Sequence, residues 1–265
     1  GPMGVARRRG GAAVAQGGAF PGCRSHLARA GDPSSLGSPP YDVSPEPDLE
    51  RYRSLSPYNV VRLIRPGTDY DGAAATFEAW ARDGILEPDQ PSMYVHEVAF
   101  GERRRRDLIA ALRLQPYEDR VILPHERTHR GPKEDRLALL RATNVSFEPL
   151  WFTYEGQGAG ISNILDALTA SAPAVAFDGP ERTKHRLWKV SDPVLHAAVH
   201  EAMRGLPVLI ADGHHRYETT LAHSLEVGGD VDAASRFTLA LLTELDDPGL
   251  EGLPTRRARQ AGVAG

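Results

Sequence analysis

The sequence predicts an α+β protein in which a mixed sheet combines β-hairpins with packed helices. Two pairs of apolar segments, 93–100 with 107–114 and 174–178 with 185–190, have the lengths and flanking turn residues of hairpins. By contrast, the apolar strand 208–211 leads into a segment with helical spacing. Hairpins mixed with strand–helix units indicate the α+β class, because a doubly wound sheet would alternate strands and helices throughout.

Apolar spacing and turn residues locate the other elements. We predict strands at 59–64, 121–123 and 150–154, and helices at 72–83, 133–143, 160–170, 192–203 and from 214 onward. Pro132 and Pro193 fall in the first turns of two of these helices, where a missing N–H costs no hydrogen bond. Tyr217, Leu221 and Leu225 form an apolar stripe on the last helix. The apolar segment 237–245 fits either a strand or a buried helix.

Composition limits the classes of function. The chain has 265 residues, of which 41% are hydrophobic and 25% charged, as in ordinary globular proteins. A net charge of −4 argues against nucleic-acid binding driven by bulk charge. No apolar run approaches the roughly 20 residues that a membrane span needs. The single cysteine, Cys23, excludes an internal disulfide and fits a reducing, cytoplasmic environment. The composition is compatible with a monomer or a homo-oligomer.

The chain is expected to divide into an arm, one domain and a short tail. Residues 1–37 are rich in Gly, Ala, Arg and Ser without a period, which predicts a flexible arm. Gly1-Pro2 ahead of Met3 is typical of a protease-cleavage scar. A single domain is expected over 38–256 and a frayed C-terminus over 257–265. The basic cluster 103–106 is expected at a solvated hairpin turn.

The stretch 207–220 is the most informative part of the chain. A glycine turn between a strand and a helix brings main-chain N–H groups and the positive end of the helix dipole to one point. Such a point is a ready site for a phosphate or a carboxylate. The residues of this turn that could bind an anion or its metal are Asp212, Gly213, His214, His215 and Arg216.

Several roles are open to these residues. Arg216 could add charge-assisted hydrogen bonds to a phosphate, and His214 or His215 could donate to a phosphate or orient a nucleophile. Asp212 could hold magnesium or cap the helix. In a purely structural alternative, Asp212 caps the helix and the histidines are solvated. Zinc is a weaker alternative, because adjacent histidines rarely point at one ion.

A second polar cluster follows the strand at 121–123. His125 and Glu126 lie on the loop that leaves this strand, and a carboxylate there can act as a general base. Lys133 and Arg136, in the first turn of the next helix, could bind phosphate oxygens. Solvated surface positions are the alternative for each of these side chains. A P-loop sequence is absent and no G-x-G-x-x-G follows a strand, so neither a P-loop nor a Rossmann site is expected.

Five sequence blocks stand out, at 39–43, 56–59, 123–128, 132–137 and 211–219. In sequence and in order they resemble a bacterial and archaeal family known as domain of unknown function 1015. The resemblance covers about residues 38–256. It implies membership of the family and no established activity.

Residues 212–216 also resemble the phosphate-binding box of the ParB/sulfiredoxin superfamily. That superfamily includes CTP-hydrolysing partition proteins, the ATP-using reductase sulfiredoxin and free-serine kinases. The serine kinases pair a Pro-His-Glu segment, whose Glu is the catalytic base, with a later Asp-Gly-His-x-Arg box, and 124–126 precedes 212–216 here in that order. The resemblance implies a ParB/sulfiredoxin-like nucleotide-binding core around 121–143 and 207–226, with a long insertion between the two segments.

We therefore expect a nucleotide-dependent phosphotransferase or nucleotide hydrolase that acts on a small hydroxylated metabolite, with serine as one candidate. The expected cofactor is a nucleotide triphosphate or diphosphate with magnesium, and the expected metal ligand is Asp212. The expected catalytic residues are Glu126, His125, Asp212 and His214. The expected cofactor-binding residues are Gly213, His214, His215, Arg216, Lys133 and Arg136.

Two other classes of function are kept beside this one. The first is a non-catalytic module that senses a nucleotide or another anion and acts through a partner protein. The second is a metal-dependent hydrolase. The expected partner is a small-molecule substrate; the lack of a long apolar run argues against a membrane partner, and the acidic balance argues against nucleic acid.

Overall fold

The computed structural model describes residues 17–41, 46–125, 131–156, 158, 160–179, 182–230 and 233–250. The strands are β1 Gly17–Gly18, β2 Cys23–Ser25, β3 Leu86–Pro88, β4 Met93–Phe100, β5 Arg103–Arg113, β6 Ile122–Leu123, β7 Leu150–Tyr154, β8 Val175–Asp178, β9 Lys184–Val190, β10 Val208–Asp212 and β11 Phe237–Glu244. The helices are α1 Leu27–Ala30, α2 Glu46–Leu55, α3 Val61–Ile64, α4 Tyr70–Arg82, α5 Gly131–Thr143, α6 Ile161–Thr169, α7 Pro193–Met203 and α8 His214–Val227.

The main sheet is mixed. Its order is β6-β10-β7-β11-β5-β4-β9-β8, and β1 pairs with part of β5. β6 runs parallel to β10, and β7 runs parallel to β11. The β4–β5 and β8–β9 pairs are antiparallel, as the predicted hairpins require. The α+β class with a mixed sheet and several helices is therefore confirmed.

Apolar side chains of the sheet and of its helices form the larger core. Val208 and Ile210 of β10 are buried on it together with Tyr217 of α8. A smaller core unites α1, α3 and α4 through Ala30, Leu63 and Trp80. Among the described residues, no helix is both long enough and apolar enough to cross a lipid bilayer.

The predicted strand at 59–64 is wrong, because Val61–Ile64 forms the short helix α3. The β-branched pair Val60-Val61 favours a strand locally. The buried Asn59 opposes it, because its Oδ1 accepts the N–H of Val61 at 3.0 Å while its Nδ2 donates to the carbonyls of Ser35 and Gly37. Tertiary hydrogen bonds therefore override the local β preference.

Residues 17–37 have defined secondary structure in the part of the predicted arm that the structure describes. Gly17–Gly18 pairs with β5, and β2 pairs antiparallel with β3. The N–H of Phe20 donates to the carbonyl of Ser92 at 3.0 Å. These partners are distant in sequence, which explains why the segment shows no local period.

Three further positions refine the sequence interpretation. Arg103 and Arg104 are exposed, as a solvated turn predicts, but Arg105 is buried against Asp107. Leu225 departs from the predicted apolar stripe of α8 because its side chain faces solvent. The ambiguous segment at the end is resolved as the strand β11.

Candidate functional site

The turn between β10 and α8 is the centre of the candidate site. β10 ends at Asp212, Gly213 has a φ of +98°, and α8 begins at His214. The carbonyl of Gly213 accepts the N–H of Tyr217 at 2.8 Å, which closes the first helical turn. Glycine suits this position because a Cβ would lie 2.9 Å from the Cδ2 atom of Leu150 and the positive φ is strained for other residues.

The second sequence cluster lies directly beside this turn. β6 and β10 are parallel neighbours, with Leu123 paired to Leu209, so their carboxyl ends leave the same edge of the sheet. The N–H of His125 donates to the Nε2 atom of His214 at 3.2 Å. The two imidazole rings meet edge to face, with centroids 4.4 Å apart. The end of β6 and the glycine turn are therefore held together by direct contacts.

Arg216 is the main cationic group at the turn. It is 8% exposed, and its Nη2 donates to the Oδ2 atom of Asp212 at 3.0 Å. Its Nη1 donates to the carbonyl of Pro149 at 3.2 Å. Its buried Nε has no hydrogen-bond partner among the residues that the structure describes. The guanidinium is therefore held in position by two hydrogen bonds, and its Nε is a buried donor that no described residue satisfies.

The sequence block at 39–43 also reaches this place, through Tyr41. The guanidinium carbon of Arg136 lies 4.2 Å from the centroid of the Tyr41 ring, and that of Arg216 lies 5.8 Å from it. Cation–π contacts of this kind stabilise by about 0.5–2 kcal/mol, depending on solvation. Tyr41 thus brings the two arginines, which come from different helices, to one aromatic ring.

Arg136 has structural partners in addition to Tyr41. Its Nη1 donates to the carbonyl of Ile64 at 2.8 Å, and its Nε donates to the Oδ2 atom of Asp135 at 2.8 Å. Its side chain is buried between α5 and the neighbouring helices. These contacts hold the Arg136 side chain between α5, the end of α3 and the Tyr41 ring.

A pocket opens beside the two arginines. It encloses about 480 Å³ of space that is continuous with solvent. Its aliphatic wall comes from α5 and from the chain ahead of β7, and its polar wall comes from α8. Its lining includes Leu139, Leu150, Glu148, Arg136, Arg216 and Thr219.

Some predicted site residues lie outside what the structure describes. Glu126 belongs to the stretch 126–130, which is outside the described residues, and only the main chain of Lys133 is described. His215 is half-buried in the first turn of α8. The structure thus brings His125 and residues 212–216 together, and it places Arg136 on the same aromatic ring as Arg216.

The metal alternatives can be compared with the described side chains. Among them, no group of three His, Cys, Asp or Glu residues is placed to hold an ion. The segment 125–129, His-Glu-Arg-Thr-His, fits the H-E-x-x-H pattern, which binds zinc from a helix. His125, the first residue of this segment, follows strand β6 and does not lie in a helix. Asp212 is a carboxylate of the turn, and its Oδ2 accepts a hydrogen bond from Arg216 at 3.0 Å.

Two residues of the site carry no sequence signal. The carboxylate of Glu148 accepts the N–H of Tyr41 at 2.9 Å, and Arg65 donates to the carbonyl of Tyr41. Glu148 and Arg65 lie outside the sequence motifs, and their contacts with the main chain of Tyr41 fix the position of its ring. Only the tertiary fold brings these residues to Tyr41.

Comparison with known families gives one result. The family model described as "Protein of unknown function (DUF1015)" matches residues 19–261. The chain belongs to the DUF1015 family. The match begins at residue 19, ahead of the domain start predicted at residue 38. No curated protein and no solved structure matches the chain.

The contact between His125 and His214 predicts one tautomer in this DUF1015 protein. Because the Nε2 atom of His214 accepts a main-chain N–H, the proton of the neutral ring must lie on Nδ1. We expect long-range ¹H–¹⁵N NMR spectra at neutral pH to show Nε2 unprotonated. A spectrum with the proton on Nε2 would contradict the contact. The variant His214→Phe identifies the signal by removing it.

Proposed function

We propose that this protein is a nucleotide-dependent phosphotransferase or nucleotide hydrolase that acts on a small hydroxylated metabolite, with serine as one candidate. One observation carries the proposal. The parallel ends of β6 and β10 hold His125 against the Asp212-Gly213 turn, at the N-terminus of α8. Ligands of open α/β sheets bind outside the carboxyl ends of parallel strands in the same way.

The turn has the groups that a phosphate requires. The first turn of a helix directs N–H groups outward along its axis, and the dipole places about half a positive charge there. Arg216 belongs to the first turn of α8, and its low exposure strengthens its charge–charge interactions. Its ion pair with Asp212 orients the guanidinium before a ligand arrives.

Phosphoryl transfer also needs a proton acceptor and charge neutralisation. In the proposed reaction the substrate hydroxyl oxygen attacks the terminal phosphorus, the bond to the leaving phosphate oxygen breaks, and the hydroxyl proton moves to the Glu126 carboxylate. Glu126 follows His125 directly in the chain. Asp212 would hold magnesium together with phosphate oxygens, and the ion would neutralise charge on those oxygens.

The resemblance to the ParB/sulfiredoxin superfamily supports the same assignment. In its serine kinases a Pro-His-Glu segment precedes an Asp-Gly-His-x-Arg box, and residues 124–126 and 212–216 match these two in order. The contact between His125 and His214 gives the two segments a spatial relation. A ParB/sulfiredoxin-like nucleotide-binding core is therefore part of the proposal.

Calorimetry tests the binding step. The protein is titrated with ATP, ADP, CTP and GTP in the presence of magnesium, and we expect at least one nucleotide to bind with 1:1 stoichiometry. Binding of none of the four would overturn the proposal. Metal analysis of the purified protein accompanies the titration, and stoichiometric zinc would favour the metal-dependent hydrolase instead.

The variant Arg216→Gln tests the phosphate contact. Because hydrogen bonds to charged groups contribute about 1.5–3 kcal/mol, we expect nucleotide affinity to fall by about 10-fold to 100-fold. Arg141→Gln is the matched control, since Arg141 forms an exposed ion pair with Glu226 on the neighbouring helix. Equal affinities in both variants would contradict the assignment of Arg216. Circular dichroism verifies that both variants are folded.

The variant Glu126→Gln separates the enzyme from the sensing module. As a proton acceptor, Glu126 contributes to the chemical step more than to binding, so we expect nucleotide affinity within about threefold of wild type and turnover lowered by about 100-fold or more. Product formation is followed by ³¹P NMR with serine and related hydroxylated metabolites. Tight nucleotide binding by a wild-type protein that turns over none of them would favour the sensing module.

A further inference from the structure

A hydrogen-bonded relay crosses the three strands β5, β4 and β9, toward the edge of the sheet opposite the glycine turn. The Nδ1 atom of His96 lies 3.2 Å from the Oδ2 atom of Asp107, and its Nε2 lies 3.0 Å from the Nδ1 atom of His185. The Nε2 atom of His185 lies 3.0 Å from the Oγ1 atom of Thr183. Five strand spacings of about 4.8 Å separate β10 from β9, so the His185 end of the relay lies about 24 Å across the sheet from β10.

The inner end of the relay is a fixed negative charge. Asp107 is fully buried, and the Nε atom of Arg105 lies 2.9 Å from its Oδ1. Thr243 of β11 also donates to this carboxylate. The guanidinium of Arg105 in turn stacks on Trp151, 4.9 Å from the ring centroid. These contacts keep Asp107 in its acceptor form and hold it in one orientation.

A fixed acceptor at one end sets the direction of every hydrogen bond in the neutral relay. Asp107 accepts the Nδ1–H of His96, which leaves the Nε2 atom of His96 as an acceptor. That atom accepts the Nδ1–H of His185, and the Nε2 of His185 then accepts the hydroxyl proton of Thr183. Each ring therefore uses one donor and one acceptor, and both are satisfied.

Added protons act on this relay in two steps. One proton on His96 reverses the hydrogen bond between the rings, because His96 then donates through both nitrogens. A second proton, on His185, leaves an N–H on each side of the 3.0 Å contact. Two donors facing each other repel, so the doubly protonated pair cannot keep the contact.

We propose that the His96–His185 pair is a pH-sensitive latch that holds the β8–β9 hairpin on β4 at neutral pH and weakens in acid. The hairpin forms the edge of the sheet, since β9 pairs with β4 and β8 pairs with β9. Phe177 of β8 stacks on the His185 ring, with centroids 4.9 Å apart and planes 6° apart. Loss of the contact between the rings thus affects both strands of the hairpin.

The charged surroundings of His185 set the pH range. His96 faces it from β4, and Asp107 and Arg105 face it from β5. Burial, followed by the charges of His96 and Arg105, lowers the pKa of His185 to about 4. A histidine in the opened hairpin would have a pKa near its unperturbed value of about 6.5. The opened state therefore binds more protons between these two values, and the latch weakens as pH falls through that window.

Hydrogen exchange followed by mass spectrometry tests the latch at pH 7.0 and pH 4.5, with intrinsic exchange rates corrected for pH. Since the two pKa values differ by about 2.5, we expect the protection of β9 to fall by about tenfold to a hundredfold relative to that of β7. β7 lies in the middle of the same sheet and reports any general effect of acid. An equal loss of protection in both strands would overturn the proposal.

Two variants and one titration test whether His185 is the group that titrates. His185→Phe removes the titrating ring and keeps an aromatic stack on Phe177, so its β9 should lose the pH dependence. His196→Gln is the control, because His196 contacts the carbonyl of Val190 at the end of the same strand and lies outside the relay. This variant should keep the pH dependence. If His185→Phe does not fold, ¹⁵N NMR titration of the wild-type imidazoles decides the question, and titration of His185 near pH 6.5 would contradict the latch.

Discussion

Replacing Asp107 with asparagine is expected to lower the free energy of unfolding by about 3–5 kcal/mol, as the loss of one partner from a buried ion pair does. Asp107 is fully buried and accepts hydrogen bonds from Arg105, His96 and Thr243. The neutral amide would leave the buried Arg105 guanidinium without its counter-charge. Urea denaturation of the wild-type and variant proteins measures the difference.

Asp166→Asn is the matched control for this change. Asp166 pairs with Arg106, the chain neighbour of Arg105, but its side chain is 64% exposed. Exposed ion pairs contribute about 0–1 kcal/mol, so we expect the control to differ from the wild type by no more than that. Similar losses of stability in the two variants would show that burial does not govern the Asp107 network.

The Asp107 variant should also change the dependence of stability on pH. Burial alone would raise the pKa of Asp107, but the hydrogen bond from His96 and the charge of Arg105 outweigh it, and the pKa is lowered. A carboxyl with a lowered pKa stabilises the fold above its unfolded pKa of about 3.9 and loses this contribution as pH falls through the folded value. The difference in free energy of unfolding between the wild type and Asp107→Asn should therefore become smaller in strong acid.

Gly213→Ala is expected to cost about 1–3 kcal/mol from backbone strain alone, because Gly213 has a φ of +98°. The added Cβ would also lie 2.9 Å from the Cδ2 atom of Leu150 and 3.1 Å from the Nη2 atom of Arg216. These close contacts would displace Arg216 from its pair with Asp212. We therefore expect a loss of nucleotide affinity in the folded variant as well as a loss of stability.

Gly205→Ala separates the two causes. Gly205 has a φ of +81°, and a Cβ built there meets no atom within 4 Å among the described residues. Its substitution should show the backbone cost alone and leave nucleotide affinity unchanged. If Gly213→Ala is no less stable than this control in urea, the close packing at the turn does not matter to the fold.

The candidate site illustrates how much could be predicted locally. The turn at 212–216 was predictable because its signal lies within a few residues: an apolar strand, a glycine and a helical period. The neighbourhood of Tyr41, Arg136 and Arg216 was not, because it depends on how α5 and α8 pack. The order of the sequence clusters suggested a common site but gave no distance between them.

The relay around Asp107 shows the same limit more clearly. His96 and His185 are 89 residues apart, and each occupies an ordinary position in a predicted strand. They meet because β4 and β9 pair in one register, and a shift of one residue would turn the His185 side chain to the other face of the sheet. A run of arginines likewise gave no sign that Arg105 alone would be buried.

The sequence by itself determined the α+β class, both hairpins and the glycine turn at Gly213, because hydrophobic period and turn chemistry act over a few residues. The tertiary structure decided that residues 61–64 form a helix, that His125 meets His214, and that Asp107 anchors a chain of histidines. Hydrogen bonds and buried charges depend on distances between segments far apart in the chain. Those distances exist only once the strands have paired and the helices have packed.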